Sequence, residues 1–231
     1  MITIDGPAAA GKSTTARAVA RHLGCLYLDS GAMYRAFGLK VERLGLSAVL
    51  AQVAAGSAEG LGRIDELART TTIGFTGPKD DPAVVLDGAS LGDEIRTPRV
   101  SELASRVATI PVVRARMNEL QRQIAARESL VAEGRDMGTV LFPDAPVKIF
   151  LDASVEERAR RRQRELKGRG IDLPVEDVRG EIEERDQRDR ERALAALVPA
   201  ADAIVVDTSG LSVGQQIEAV LKAVEARVSR P

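Results

Sequence analysis

Short apolar runs alternate with helix-length segments along this chain. Five runs predict buried strands, at residues 1–4, 25–28, 130–132, 147–151 and 203–206. Strands that alternate with helices form a parallel sheet, because each crossover helix packs back onto the sheet and covers one of its faces. The pattern therefore predicts an α/β fold with a doubly wound parallel sheet of about five strands.

A different pattern occupies residues 35–110. Two β-propensive runs, at 70–76 and 83–87, flank a turn rich in Pro and Asp, and together they predict an antiparallel hairpin. A hairpin does not belong in a parallel sheet, so we expect residues 35–110 to form an inserted subdomain. The rest of the chain is predicted to divide into core segments at 1–34, 111–154 and 171–231, with an arginine-rich segment at 155–170.

The charge balance excludes whole-molecule attraction to polyanions. The chain has 231 residues, with 33 Lys and Arg against 34 Asp and Glu. Even the arginine-dense stretch at 155–192 carries twelve basic and twelve acidic residues, a balance typical of solvated helices with Glu/Arg pairs. We therefore expect neither a nucleic acid nor a membrane as partner, and any phosphate binding must be local.

Cysteine and histidine are scarce. A single cysteine, Cys25, excludes an intrachain disulfide, and with a single histidine, His22, it argues against a structural zinc site. No secretory pattern precedes the first strand, and no apolar run approaches the roughly 18 residues of a membrane helix. These features predict a cytoplasmic protein whose chemistry uses Lys, Arg, Asp, Ser and a metal ion.

The first strand leads into a phosphate-binding motif. Gly6, four further residues, Gly11, Lys12 and Ser13 match the pattern G-x-x-x-x-G-K-[ST], and a helical pattern follows. The small residues allow the backbone N–H groups to wrap around a phosphate, and the helix N-terminus adds its positive dipole end. The residues predicted to bind ATP are Gly6, Ala8, Ala9, Ala10, Gly11, Lys12, Ser13 and Thr14.

Two residues of this motif have specific roles in the prediction. Lys12 is expected to reach the β- and γ-phosphates of ATP, and the Ser13 hydroxyl is expected to ligate Mg²⁺. A P-loop occurs in kinases, in GTPases and in ATPases. The single asparagine, Asn118, is followed by Glu119, so the guanine-reading N-K-x-D motif is absent. The chain is short, with an insert after the second strand and an arginine-rich helical pair near the C-terminus, and this plan favours phosphoryl transfer to a small acceptor.

Longer motifs add a family resemblance. The chain resembles the bacterial cytidylate kinases, nucleoside monophosphate kinases of the P-loop class, through GPAAAGKST, DSGAMYR, EGRDMGTVLFPDAPVKIFLDAS and RDQRDRERALAALVPAADAIVVDTS. The resemblance implies a P-loop NTPase-type sheet, with the insert at 35–110 binding the nucleoside monophosphate and residues 155–170 forming a helical lid over ATP. It also implies a monomer.

The resemblance further implies the site residues. It assigns the acceptor phosphate to Arg35, Arg135 and Arg192, the cytosine to Ser105, Arg114 and Asp136, and the sugar and pocket mouth to Arg185, Asp189 and Ser30. Arginines suit a phosphoryl acceptor because the planar guanidinium binds phosphate oxygens in pairs. In the lid, Arg158 and Arg162 are the arginines predicted to contact the phosphates of ATP. The catalytic set is then Lys12, Arg135, Arg158, Arg162 and Arg192.

Base selection has a physical basis at Asp136. A carboxylate accepts a hydrogen bond from the exocyclic amine of cytosine, whereas uracil presents a carbonyl oxygen at that position. The mismatch costs on the order of 1–3 kcal/mol, so CMP and dCMP are expected ahead of UMP. One alternative keeps the fold and changes the acceptor to UMP, AMP or a small hydroxyl metabolite. An alternative of a different class is a nucleotide switch that hydrolyses ATP slowly.

Overall fold

The computed structural model describes residues 1–168, 170–191 and 196–228. The strands are β1 (Ile2–Asp5), β2 (Leu26–Asp29), β3 (Ile73–Thr76), β4 (Ala83–Leu86), β5 (Ala89–Ser90), β6 (Leu130–Gly134), β7 (Val147–Asp152) and β8 (Ile204–Asp207). The helices are α1 (Lys12–Leu23), α2 (Ser30–Arg43), α3 (Ser47–Ala54), α4 (Ala58–Thr70), α5 (Pro98–Val107), α6 (Pro111–Ala125), α7 (Val155–Lys167), α8 (Val175–Arg190) and α9 (Val213–Val228). A 3₁₀ turn spans Asp93–Arg96, and a π-helical turn spans Met137–Leu141.

A five-stranded sheet forms the centre of the first of two units, residues 1–28 and 130–231. Its strand order is β2-β6-β1-β7-β8, and β1 pairs in parallel with both β6 and β7. The predicted α/β fold with its five-stranded parallel sheet is thereby confirmed. Because β1 is the central strand, the loop that follows it lies in the middle of the carboxyl edge, where open α/β sheets bind ligands.

Helices α1 and α9 cover the apolar side chains of this sheet. Ile4 of β1, Ile149 of β7, Val19 of α1 and Val220 of α9 belong to one buried cluster. Burial of each such side chain stabilises the fold by about 1.5–3 kcal/mol. This packing fixes both ends of the phosphate motif, since Asp5 ends β1 and Lys12 begins α1.

The second unit comprises residues 29–129. Helix α2 packs against α5, and the predicted hairpin is present as β3 and β4, which pair antiparallel and are extended by β5. The boundaries expected at 35 and 110 both lie inside this unit. Helix α6, placed in the core by the sequence, belongs here instead, because it packs against α4 and β3.

The arginine-rich segment at 155–170 contains helix α7. It packs against α8 through a small apolar cluster that includes Ala159, Leu166, Val178 and Ile182. The cluster joins the two arginine-rich helices into one layer of the first unit. Within the described part of the chain, no helix has the length and apolar character required to cross a bilayer.

Candidate active site

The phosphate loop is held in shape by two glycines. Gly6 has a φ of 149°, and a Cβ atom there would collide with the carbonyl oxygen of Leu151 in the neighbouring strand β7. Gly11 caps α1 in the left-handed region, with a φ of 87°. Only glycine adopts both conformations without strain. The loop therefore begins in close contact with β7 at Gly6 and leads through Gly11 directly into α1.

Lys12 lies in this loop in a crowded, positively charged position. The residue is buried, and its Nζ donates to the carbonyl oxygen of Pro7 at 2.6 Å. Burial, followed by the charge of Arg135, holds the pKa of Lys12 well below its ordinary value. The charge of Arg185 acts in the same direction, whereas Glu133 opposes it. Such a cluster of cations is suited to binding a polyanion.

Residues from the C-terminal part of the chain make hydrogen bonds to the phosphate loop. The Gln216 side chain of α9 donates to the carbonyl oxygen of Gly11 at 3.1 Å and to Oγ1 of Thr15 at 2.6 Å. Thr208 contacts the loop through its hydroxyl, 3.4 Å from the carbonyl oxygen of Ala10, and Arg161 of α7 donates to the hydroxyl and the carbonyl oxygen of Thr208. Sequence reasoning missed Gln216 and Thr208, because a single buried polar residue in an amphipathic segment leaves no distinctive pattern.

Arg135 connects the phosphate loop to helix α8. It follows β6, and its Nη1 donates to the carbonyl oxygen of Gly6 at 2.8 Å. Its Nε donates to Asp189 at 2.8 Å, where the carboxylate is almost completely buried. The structure thus brings Arg135, Asp189 and the phosphate loop together. The electrostatic effect of Arg185 on Lys12 places that arginine in the same surroundings.

Asp5 holds the loop that carries Arg135 and Asp136. Its two carboxylate oxygens accept hydrogen bonds from the backbone N–H groups of Met137, at 2.9 Å, and Gly138, at 2.8 Å. Gly138 lies so close to β1 that a Cβ atom there would contact the Thr3 hydroxyl at 2.9 Å. The sequence analysis did not identify Asp5, although its place at the end of the central strand is a signal for such a role.

The burial of Asp5 predicts a pH effect on stability. Burial is the main cause that raises the pKa of Asp5 to about 6, and the charge of Asp136 adds to it, whereas the two backbone hydrogen bonds and Lys12 lower it. The folded protein then binds this proton more tightly than the unfolded chain does. The contribution of Asp5 to stability is therefore fully present below about pH 4 and is lost as the pH rises through about 6.

Urea unfolding of the wild type and of Asp5→Asn between pH 4.5 and 7 measures this effect. We expect the stability advantage of the wild type over the variant to decrease with pH, by up to about 1.4 kcal/mol per pH unit. Asp207→Asn is the matched control, because Asp207 also ends a strand and accepts a backbone N–H, from Ser209, at an exposed position. A pH-independent difference between wild type and Asp5→Asn would contradict the assignment.

The two arginines predicted for the lid have different surroundings. Arg158 and Asp186 form an ion pair at 2.6 Å, with each side chain only 2% exposed. Arg158 also donates to the carbonyl oxygens of Ala153 and, within the phosphate loop, of Ala8. Arg162 is partly exposed and pairs with Glu165 at 2.8 Å. Arg158 thus contacts the backbone of the loop, and contact of either arginine with ATP stays a prediction.

Four further predicted residues, Ser30, Arg35, Ser105 and Arg114, are in the unit formed by residues 29–129. Arg35 pairs with Asp29 at 2.9 Å, and Asp29 also caps helix α2 by accepting from the backbone N–H of Ala32. Ser30 is buried at the start of α2, and Ser105 is partly buried on α5. Arg114 is buried on α6, where its guanidinium lies 6.0 Å from the centre of the Tyr34 ring.

Arg192, predicted to bind the acceptor phosphate, lies outside the described residues.

The donor set at Ser13 fits a magnesium ion. Ser13 is exposed at the start of α1, and its hydroxyl donates to Oε1 of Glu133 at 2.7 Å, so the lone pairs of its oxygen stay available for a cation. Among the described residues no group of three or more His, Cys, Asp or Glu side chains forms a metal site. Mg²⁺ is commonly bound by one or two protein oxygens together with phosphates and water, and a serine hydroxyl supplies such an oxygen.

These features define a P-loop phosphate-binding protein of the α/β class. A model of the cytidylate kinase family matches residues 2–226. A cytidylate kinase of Pelotomaculum thermopropionicum is 48% identical over 229 residues, which cover 99% of this chain and 95% of that protein. A cytidylate kinase of Klebsiella pneumoniae is 48% identical over 222 residues, covering 96% of this chain and 93% of that protein. The chain belongs to the cytidylate kinase family, which confirms the resemblance found in the sequence.

A solved structure supports the fold independently. The crystal structure of an uncharacterized protein from Eubacterium ventriosum is similar with a TM-score of 0.51, over 98% of this chain and 98% of that one. The two sequences are 14% identical, so this likeness shows the fold alone.

Proposed function

We propose that this protein transfers the γ-phosphoryl group of ATP to CMP and dCMP, with Mg²⁺, to give ADP and CDP or dCDP. The observation that carries the proposal is a hydrogen bond between two loops. Arg135, which the family resemblance assigns to the acceptor phosphate, donates to Gly6 in the loop that binds ATP. An acceptor-side cation is thereby fixed beside the phosphate donor, and a nucleotide switch has no need of such an arrangement.

Positioning and charge stabilisation carry the catalysis in this proposal. The backbone of residues 6–11 binds the β-phosphate, and Lys12 binds the β- and γ-phosphates through its ammonium group. Ser13 would hold the metal ion, which when bound neutralises charge on the phosphate oxygens. Arg135 and Arg185 add positive charge next to Lys12. The CMP phosphate oxygen attacks the γ-phosphorus in line, the bond to the ADP oxygen breaks, and no covalent enzyme intermediate forms.

Asp136 is proposed to read the base. It is buried next to Arg135, and the hydrogen bonds from Met137 and Gly138 to Asp5 fix the backbone that follows it. A carboxylate held in this way accepts from the cytosine amine and repels the uracil carbonyl. The roles of Ser105 and Arg114 toward cytosine, of Arg35 and Arg192 toward the phosphate, and of Ser30, Arg185 and Asp189 toward the sugar stay predictions, as do a monomeric state and a cytoplasmic location.

A coupled ADP-release assay with CMP, dCMP, UMP, AMP, GMP or no acceptor tests the proposal. We expect turnover with CMP and dCMP, and a ratio of CMP to UMP in kcat/KM that falls about 10- to 100-fold in Asp136→Ala. Asp144→Ala, an exposed aspartate in the loop after the π-helical turn, is the control and should keep the wild-type ratio. Equal ADP release without acceptor would identify an ATPase, and a preference for AMP would identify another kinase.

A further inference from the structure

The hydroxyl group of Tyr27 contacts the carboxylate that orients Ser13. Tyr27 is buried in β2, and its hydroxyl donates to Oε1 of Glu133 at 2.7 Å. The same oxygen accepts from the hydroxyl of Ser13, also at 2.7 Å. Strands β2 and β6 are neighbours in the sheet, and α1 packs against β6, so three adjacent elements supply the three side chains.

The ring of Tyr27 is itself held in place. The guanidinium of Arg17 lies 5.2 Å from the ring centre, close enough for a cation–π interaction. Arg17 is one turn after Ser13 on α1, so the two residues lie on the same helix face. The series of contacts that begins at Arg17 therefore ends at Ser13 on the same helix. Arg17 orients the ring, the ring places the hydroxyl, and the hydroxyl fixes the acceptor oxygen of Glu133.

We propose that Tyr27 is a positioning residue for the magnesium site, acting through Glu133 on the hydroxyl of Ser13. A hydroxyl that donates its proton to a fixed carboxylate oxygen presents its lone pairs in a fixed direction, and a metal ligand needs that direction. Removal of the Tyr27 hydroxyl takes one donor from Oε1 of Glu133, and the direction of the Ser13 hydroxyl is then held less firmly. This inference rests on the proposed function, because that function places Mg²⁺ at Ser13.

Nucleotide binding, measured without acceptor and without turnover, tests the role of Tyr27. Isothermal titration calorimetry gives the Kd of a non-hydrolysable ATP analogue in EDTA and in Mg²⁺. The Kd in EDTA divided by the Kd in Mg²⁺ is the magnesium enhancement. Tyr27→Phe keeps the ring and removes only the hydroxyl. We expect the magnesium enhancement to fall about tenfold, with little change of the Kd in EDTA.

Two further variants make the test specific. Tyr34→Phe changes the other of the two tyrosines in the chain and should leave the magnesium enhancement unchanged. Ser13→Ala, at an exposed position that does not endanger folding, should abolish the enhancement, and the addition of Tyr27→Phe should then have no further effect.

The outcomes separate this inference from the function on which it rests. An unchanged enhancement in Tyr27→Phe, or an equal loss of affinity in EDTA and in Mg²⁺, overturns the role of Tyr27 and leaves the kinase proposal intact. Failure of the wild-type protein to bind the ATP analogue overturns the kinase proposal itself.

Discussion

Replacement of Lys12 by methionine is expected to lower kcat for CMP phosphorylation about 10³-fold, the loss typical for removal of one group that stabilises transition-state charge. Methionine keeps the length and the apolar stem of lysine and removes the ammonium group. The folded protein tolerates this change, because Lys12 is buried beside Arg135 and Arg185, and its pKa is lowered there. The free energy of unfolding should therefore not decrease.

The coupled ADP-release assay, combined with urea unfolding of the same preparation, measures both quantities. Lys222→Met is the control, because Lys222 is an exposed lysine on α9 that pairs with Glu218. It should match the wild type in both measurements. A Lys12→Met enzyme that keeps more than about a tenth of wild-type kcat would contradict the assignment of Lys12 to the transferred phosphoryl group.

Asp186→Ala is expected to destabilise the protein by about 3–5 kcal/mol, because it leaves the buried charge of Arg158 without its partner. Both side chains are 2% exposed, so water does not replace the lost carboxylate. Most domains have a total stability of only about 5–15 kcal/mol. A single truncation on α8 should therefore remove a large part of the stability of the fold.

Urea unfolding measures this change, and a double variant separates the charge from the packing. Arg158→Met combined with Asp186→Leu replaces the pair by apolar groups and should recover much of the lost stability. Glu218→Ala breaks an exposed pair on α9 and should change the stability little. If Asp186→Ala unfolds at the same urea concentration as Glu218→Ala, the buried pair does not support the fold.

The main sheet was predictable because its signal is local. Each strand of the five-stranded sheet is a short apolar run bounded by turn residues, and the runs at 130–132 and 147–151 coincide with β6 and β7 to within two residues. The division of the chain into its two units was harder to predict from the sequence. An apolar helix face, such as that of α6, shows that the helix is packed, but it does not show whether the partner is the main sheet or the hairpin.

The same distinction applies to the candidate site. The residues of the phosphate loop are predictable because a contiguous motif builds the loop and the start of α1. The supporting residues Tyr27 and Gln216 are not, because the acceptors of their hydrogen bonds lie at least 106 positions away in sequence. A polar residue in an apolar segment marks a buried hydrogen bond, and only the fold identifies the acceptor.

The contact between Gln216 and Gly11 joins residues separated by 205 positions. During synthesis, Gln216 is added 205 residues after the glycine that it contacts. Contacts of such long range form late, since the entropy of closing a long chain segment must be overcome first. The nascent chain therefore contains the whole phosphate motif before the contact from Gln216 that supports it can form.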